Sequence, residues 1–148
     1  MERFDCKACQ GRWPLADHCL AEYPLSVAYL HEDQFFPGWT VLVFKRHATE
    51  LFELSRDERH QLIEEVTDVA RALASVFRPV KINYGLLGNQ LPHVHWHVIP
   101  RLEGDPAPFD AVWSVRHEPK RLADGERHTL RRRIREHLAL PVRSVRED

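Results

Sequence analysis

The sequence predicts an α+β fold: an antiparallel sheet of about five strands, one long helix packed on it, and a short helical addition at the C-terminus. Three observations carry that prediction. Strand-forming runs flank a Pro-Gly pair within residues 26–44, a capped and periodic helix follows, and further strand-like runs occupy residues 81–85 and 93–100. Taken in order, residues 1–24 mix Cys, Gly, Trp, Pro14 and Pro24 without a clean period, so they read as a loop-rich segment that needs something to order it. From Ser26, Val27, Tyr29 and His31 alternate with Ala28 and Leu30. After Phe36-Pro37-Gly38, the run Trp39-Thr40-Val41-Leu42-Val43-Phe44 gives a second strand. Ser55-Arg56-Asp57-Glu58 is a Ser-x-x-Glu capping box. Behind it Leu62, Val66, Val69, Leu73 and Phe77 form an apolar stripe, widened by Ile63, Ala70 and Ala74, and the helix of about five or six turns ends before Pro79.

Lys81 to Gly85 reads as a short strand, Leu87 to Pro92 as a loop, and residues 102–112, with Gly104, Pro106 and Pro108, as an excursion. Leu130, Ile134 and Leu138 recur at every fourth position, which predicts a helix over about residues 124–139 with Arg131-Arg132-Arg133 on its solvated face. Charge divides the chain: from Arg116 onward there are ten Lys+Arg against six Asp+Glu, a surplus of four, while residues 1–115 carry 11 against 16. The expected organisation is therefore a main domain over 1–115 with an N-terminal Cys-x-x-Cys segment, and a basic helical extension over 116–148.

A chain of 148 residues, 43% hydrophobic, has room for one full domain and not for two ordinary ones. The net charge of −1 argues against a dedicated nucleic-acid binder. Apolar runs fall far short of the roughly 20 residues a membrane span needs, and Met1-Glu2-Arg3-Phe4-Asp5 does not read as a signal peptide. A cytoplasmic protein without membrane association is expected. In that reducing setting Cys6, Cys9 and Cys19 are thiols or metal ligands, not disulfides.

His93-Val94-His95-Trp96-His97-Val98 carries the chemistry. In a strand His93, His95 and His97 share one face and Val94, Trp96 and Val98 the other, with neighbouring imidazoles about 7 Å apart, close enough for two to touch one phosphate-sized group. A pure three-histidine metal site is the competing reading, although residues of one straight strand converge poorly on a single ion with bonds of about 2 Å.

This segment, with Pro100-Arg101 behind it, resembles the signature of the histidine triad (HIT) family of nucleotidyl hydrolases and transferases. Upstream, Pro37 to His47 is similar to the family's Pro-Gly-His-x-Leu-Val-x-Pro-Lys-x-His segment, and the resemblance covers about residues 4–101. It implies a HIT-like sheet, a nucleotide substrate, a homodimer, and activity of the diadenosine polyphosphate hydrolase type. By the same resemblance His95 attacks the α-phosphate to give a nucleotidyl-histidine intermediate, and His97 stabilises the phosphate. Asn89 and Gln90 stand at phosphate-contacting positions, Asn83 near the leaving group, and His31 where the ribose is bound. Trp39 replaces the family's phosphate-side histidine, and Gln90 stands where the phosphoramidase branch has a serine. Both departures lean toward phosphoanhydrides such as dinucleoside polyphosphates.

Cys6-Lys7-Ala8-Cys9 is by spacing one half of a zinc site; two reduced thiols are the alternative. The resemblance implies that His47 and His93 complete a structural Zn²⁺ site, with His18-Cys19 as a rival ligand pair and no metal needed for catalysis. Two other functional classes fit parts of the sequence. One is a nucleotide-binding or interaction protein that keeps the triad and turns over little. The other is a redox or metal-sensing module on Cys6 and Cys9, which leaves the triad unexplained.

Overall fold

Apolar and β-branched residues fill the centre of a five-stranded antiparallel sheet, ordered β1 (Cys19–Glu22), β2 (Ser26–Leu30), β3 (Thr40–Phe44), β5 (His95–Arg101) and β4 (Lys81–Gly85). The structure, a computed structural model, describes residues 3–143; residues 1, 2 and 144–148 of the two expected segments lie outside the described residues. The expected count of about five strands is met, but β1 lies in the segment read as loop-rich. β1 has only four residues, and its register on β2 shifts between Cys19 and Ala21, so its sequence carries no alternation to recognise.

The long helix α1 (Arg56–Phe77) begins as expected: Glu58 N–H donates to Ser55 Oγ at 3.1 Å, and Ser55 N–H donates to Glu58 Oε2 at 2.7 Å. Leu62, Val66, Val69, Ala70 and Leu73 are buried against the sheet. Ile63 corrects the expectation: it is 44% exposed, and the stripe is completed by the carboxylates of Glu65 and Asp68. Buried charges need partners. Glu65 accepts from Ser26 Oγ at 2.6 Å and Leu25 N at 3.0 Å, and Asp68 accepts from Tyr23 Oη at 2.8 Å and Ala139 N at 2.9 Å.

The C-terminal helix α2 (Asp124–Arg135) stops short of residue 139. His137 and Leu138 N–H bond three residues back, and Ala139 and Leu140 N–H then donate to Asp68, so the chain leaves the helix to satisfy that carboxylate. Arg131 is a second correction. It is buried, its Nε donating to Cys19 O at 2.7 Å, while Arg132 and Arg133 remain on the solvated face. Ile134 packs with Leu20, Leu42 and Leu73, so α2 shares the main core. No helix among the described residues is long and apolar enough to cross a membrane.

β5 pairs with β3 as Val41↔His97 and Val43↔His95, which fixes both histidines on the face away from α1, while Trp96 and Val98 pack toward the helix. Gly38 lets β3 enter this arrangement. At φ 86 it adopts a left-handed turn, and the Phe77 ring lies 2.6 Å from where a Cβ would sit.

Candidate active site

His95 and His97 line one cavity of about 630 Å³, a size that suits a small ligand. The imidazole of His95 is 6% exposed and lies within 2.6 Å of the His93 carbonyl through Nδ1. A carbonyl only accepts, so Nδ1 carries the proton and Nε2 keeps its lone pair, with no hydrogen-bond partner among the described residues. Burial pushes the His95 pKa down, against the backbone hydrogen bond, which favours neutral imidazole.

His97 holds the opposite tautomer. Trp39 Nε1–H donates to its Nδ1 at 3.1 Å, so in the neutral ring the proton sits on Nε2. Burial, then the neighbouring His95 and His31, push the His97 pKa down to about 3. His31 also lines the cavity; its ring stacks on Trp39 at 4.1 Å, and its Nδ1 accepts from Asp33 N at 3.1 Å.

His93 departs from the expected row of three. β5 begins at His95, and His93 Nε2 donates instead to Phe44 O at 2.6 Å, turning its ring away from the cavity. Its Nδ1, then unprotonated, points into a cluster with Cys6, Cys9 and His47. Nδ1 of His93 lies 3.4 Å from Cys6 Sγ, 3.6 Å from Cys9 Sγ and 3.3 Å from His47 Nδ1, and His47 Nδ1 is 3.3 Å from Cys9 Sγ. One lone pair cannot serve three hydrogen bonds. A tetrahedron with Zn–S of about 2.3 Å and Zn–N of about 2.05 Å has edges of about 3.3–3.8 Å; these four separations fall in that range, all four donor atoms lie within 4.8 Å of one another, and His93 Nε2–H on a carbonyl is the usual orienting bond behind a zinc ligand, so the cluster could hold a zinc ion. His18 and Cys19 do not join this cluster.

Of the remaining expected residues, Asn89 and Gln90 line the cavity beside His95 and His97. Asn83 does not: its Oδ1 accepts from Arg101 at 2.8 Å, and it lines a neighbouring cavity of about 480 Å³. Trp39 is 4% exposed and is not part of the cavity lining; it meets His97 only through its Nε1–H on Nδ1 and the edge of its ring.

Residues 15–104 match the HIT domain family. The chain belongs to the HIT family. Among curated relatives it is 28% identical over 109 residues to the asymmetrical bis(5′-nucleosyl)-tetraphosphatase of Schizosaccharomyces pombe, covering 70% of this chain and 60% of that one, so the match spans less than two thirds of the relative. It is 32% identical over 97 residues to the adenosine 5′-monophosphoramidase of the same yeast, covering 65% of this chain and 71% of the relative. A crystal structure of a histidine triad protein from Sinorhizobium meliloti superposes with a TM-score of 0.76 at 34% identity, covering 81% of this chain and 88% of that one.

This HIT chain also builds its cavity from residues that the sequence did not single out. Trp13 meets the His95 ring edge-on at 5.2 Å, and Lys7 lines the same space. Both stand on the segment that carries Cys6 and Cys9, and the Lys7 carbonyl accepts from Arg12 N at 2.9 Å to close that loop. Trp113 sits edge-on to His97 at 5.1 Å. It arrives there because Arg101 folds the 102–112 excursion back, donating to Asp105 at 2.6 Å and to Ala107 O at 2.6 Å. The signal in the sequence was tryptophan in otherwise irregular, polar segments.

Proposed function

We propose that this HIT chain is a nucleotide hydrolase that cleaves phosphoanhydrides, dinucleoside polyphosphates foremost, through a covalent nucleotidyl-histidine at His95. The observation that carries the reading is the His95 tautomer: Nδ1–H is held by the His93 carbonyl, and the Nε2 lone pair is left for the cavity. Nε2 forms a bond to the α-phosphorus, and the bond to the leaving oxygen breaks with its electron pair on that oxygen. Water then attacks the phosphorus, the P–N pair returns to Nε2, and the proton of water goes to solvent. His97 Nε2–H, Asn89 and Gln90 donate to the phosphoryl oxygens, and His31 faces the sugar. The relative named as a tetraphosphatase supports the phosphoanhydride class.

The same reading gives the Cys6–Cys9–His47–His93 cluster a structural role. Cys6, Cys9, His47 and His93 would hold a Zn²⁺ ion with all four positions filled by protein, which would clamp the N-terminal segment and leave no open site for water. Thiolate ligands fit a reducing compartment, in keeping with a cytoplasmic enzyme. A second copy of the chain completes the assembly. β4 is one of the two outer strands of the sheet, with Tyr84 and the preceding Val80 exposed along it.

The test is turnover by purified protein of diadenosine tetraphosphate, adenylyl sulfate and adenosine 5′-phosphoramidate, with His95→Ala alongside. Hydrolysis of the tetraphosphate that is lost in the variant supports the reading. Tight nucleotide binding without turnover of any of them replaces it with a binding protein that has kept the triad.

A further inference from the structure

We infer that Trp39 is a positioning residue that makes His97 a hydrogen-bond donor and not a proton donor, so that the pocket selects leaving groups that depart as anions, phosphoanhydrides over phosphoramidates. The inference rests on the reading of His95 as nucleophile, and it addresses what the relatives leave open, since one is named as a tetraphosphatase and another as a phosphoramidase.

An indole N–H donates and never accepts, so the 3.1 Å contact from Trp39 Nε1 requires an unprotonated Nδ1 on His97. To become imidazolium, His97 would place a second hydrogen on the same short line, N–H against N–H. Trp39 has no room to turn away. It is 4% exposed, stacked on His31 at 4.1 Å and 9°, and met edge-on by Phe36 at 6.5 Å and Trp113 at 5.9 Å. The rings that face His97 are those of Trp39, His95, His31 and Trp113, and Asp5 brings a carboxylate to the lining of the same cavity without a hydrogen bond to His97. Its depressed pKa agrees with this geometry.

Neutral imidazole with its hydrogen on Nε2 gives a phosphoryl oxygen a hydrogen bond and keeps the proton. When His95 Nε2 bonds to the α-phosphorus, the bond to the bridging atom breaks and the electron pair goes to that atom. A phosphate leaving group takes the pair as an anion spread over its oxygens and needs no proton. An amine nitrogen departs only if a proton arrives with it, and His97 does not supply one. Asn89 and Gln90, the amide side chains beside it, are hydrogen-bond donors without acid strength. Lys7 and Asp5 line the same cavity with opposite charges.

The experiment is a leaving-group series on one adenylyl group: diadenosine tetraphosphate, aryl esters of adenosine 5′-phosphate with graded phenol pKa, and adenosine 5′-phosphoramidate. For the wild type, log kcat/KM falls steeply with leaving-group pKa, and the phosphoramidate reacts at least about 10²-fold more slowly than the tetraphosphate, the span general-acid help would otherwise supply. Trp39→Phe keeps an aromatic ring on His31 and removes the donor. It lowers that ratio by about tenfold or more and flattens the slope. ¹⁵N NMR of the His97 ring in the wild type gives the Nε2–H tautomer without need of any variant, which covers a Trp39→Phe that fails to fold. Equal wild-type rates on amine and anhydride, an unchanged ratio in folded Trp39→Phe, or an Nδ1–H tautomer each overturn the inference. Absence of turnover on every substrate overturns the function proposed above instead, and the tautomer measurement then still decides whether Trp39 sets His97.

Discussion

His93 and His95 are two residues apart and use the same side chain in opposite orientations. His93 gives Nε2–H to the Phe44 carbonyl and turns Nδ1 to the Cys6–Cys9–His47 cluster; His95 gives Nδ1–H to the His93 carbonyl and turns Nε2 to the cavity. One end of the segment is closed, with four donor atoms within 4.8 Å of one another, while the other opens on about 630 Å³. The carbonyl to which each imidazole is tied thus decides where its lone pair goes, toward other protein donors at His93 and toward open space at His95. The two ends are also joined, because Lys7 and Trp13 reach the open cavity from the loop that carries Cys6 and Cys9.

The sharpest break of this comparison is at the open end. His95→Ala is expected to lower kcat by about 10³-fold or more while nucleotide affinity stays within about tenfold, measured by steady-state kinetics and calorimetry, because the nucleophile acts in the transition state. His97→Ala is expected to cost about 10²–10³ in kcat through one lost donor to the phosphate. A neutral result at His97 would move that role to Asn89 and Gln90.

At the closed end the readout changes from rate to folding. The protein should carry about one zinc per chain, and Cys6→Ala or His47→Ala should lower both zinc content and Tm, the latter by roughly 10 °C, because bound metal is folding free energy. Chelator should act slowly and through stability. Fast, zinc-reversible inhibition of a folded protein would put the metal at the phosphate and dissolve the contrast between the two ends.

The smallest effect concerns the strap that holds the His31 loop to the open end. His117 Nε2 donates to Asp33 Oδ2 at 2.6 Å, and Phe35 stacks on the His117 ring at 4.1 Å. The Asp33 hydrogen bond raises the His117 pKa above its ordinary 6.5, and Asp33 itself is held below the usual carboxylate range, chiefly by the Lys120 backbone and His117 working against desolvation. The raised group contributes stability fully below about pH 6.5 and loses it as pH rises through the higher folded value. His117→Phe, which keeps the stack, should therefore lower Tm by a few degrees near pH 6 and by less near pH 9, whereas the metal cluster's contribution moves the other way as its ligands deprotonate. Equal losses at both pH values would remove the ion pair from the account.

The fold was legible where period and capping agree: Ser55 to Phe77 and the two strands around Pro37-Gly38 follow local rules that the core then reinforces. β1 was not, because a four-residue strand with a register shift has no periodicity of its own. Arg131 was misplaced because its partner, the Cys19 carbonyl, lies 112 residues away and no charge pattern announces a backbone acceptor. At the site, His95 and His97 were legible from alternation, and the four cluster residues from Cys-x-x-Cys spacing together with the family resemblance. Trp39 was legible as a departure but not as a donor to His97, since that depends on β3 and β5 meeting as Val41↔His97. Asn83 was placed near the leaving group by the family resemblance alone; its Oδ1 accepts from Arg101 and it lines the neighbouring cavity.

The claim that Nε2 of His95 forms the covalent bond is tested most directly by rapid quench into base of enzyme mixed with diadenosine tetraphosphate labelled at its α-phosphates, followed by proteolysis and mapping of the label. The account predicts one nucleoside monophosphate per active chain, alkali-stable, acid-labile and located on His95. Label on another residue, or an unlabelled protein during the first turnover of a substrate it hydrolyses, would contradict it.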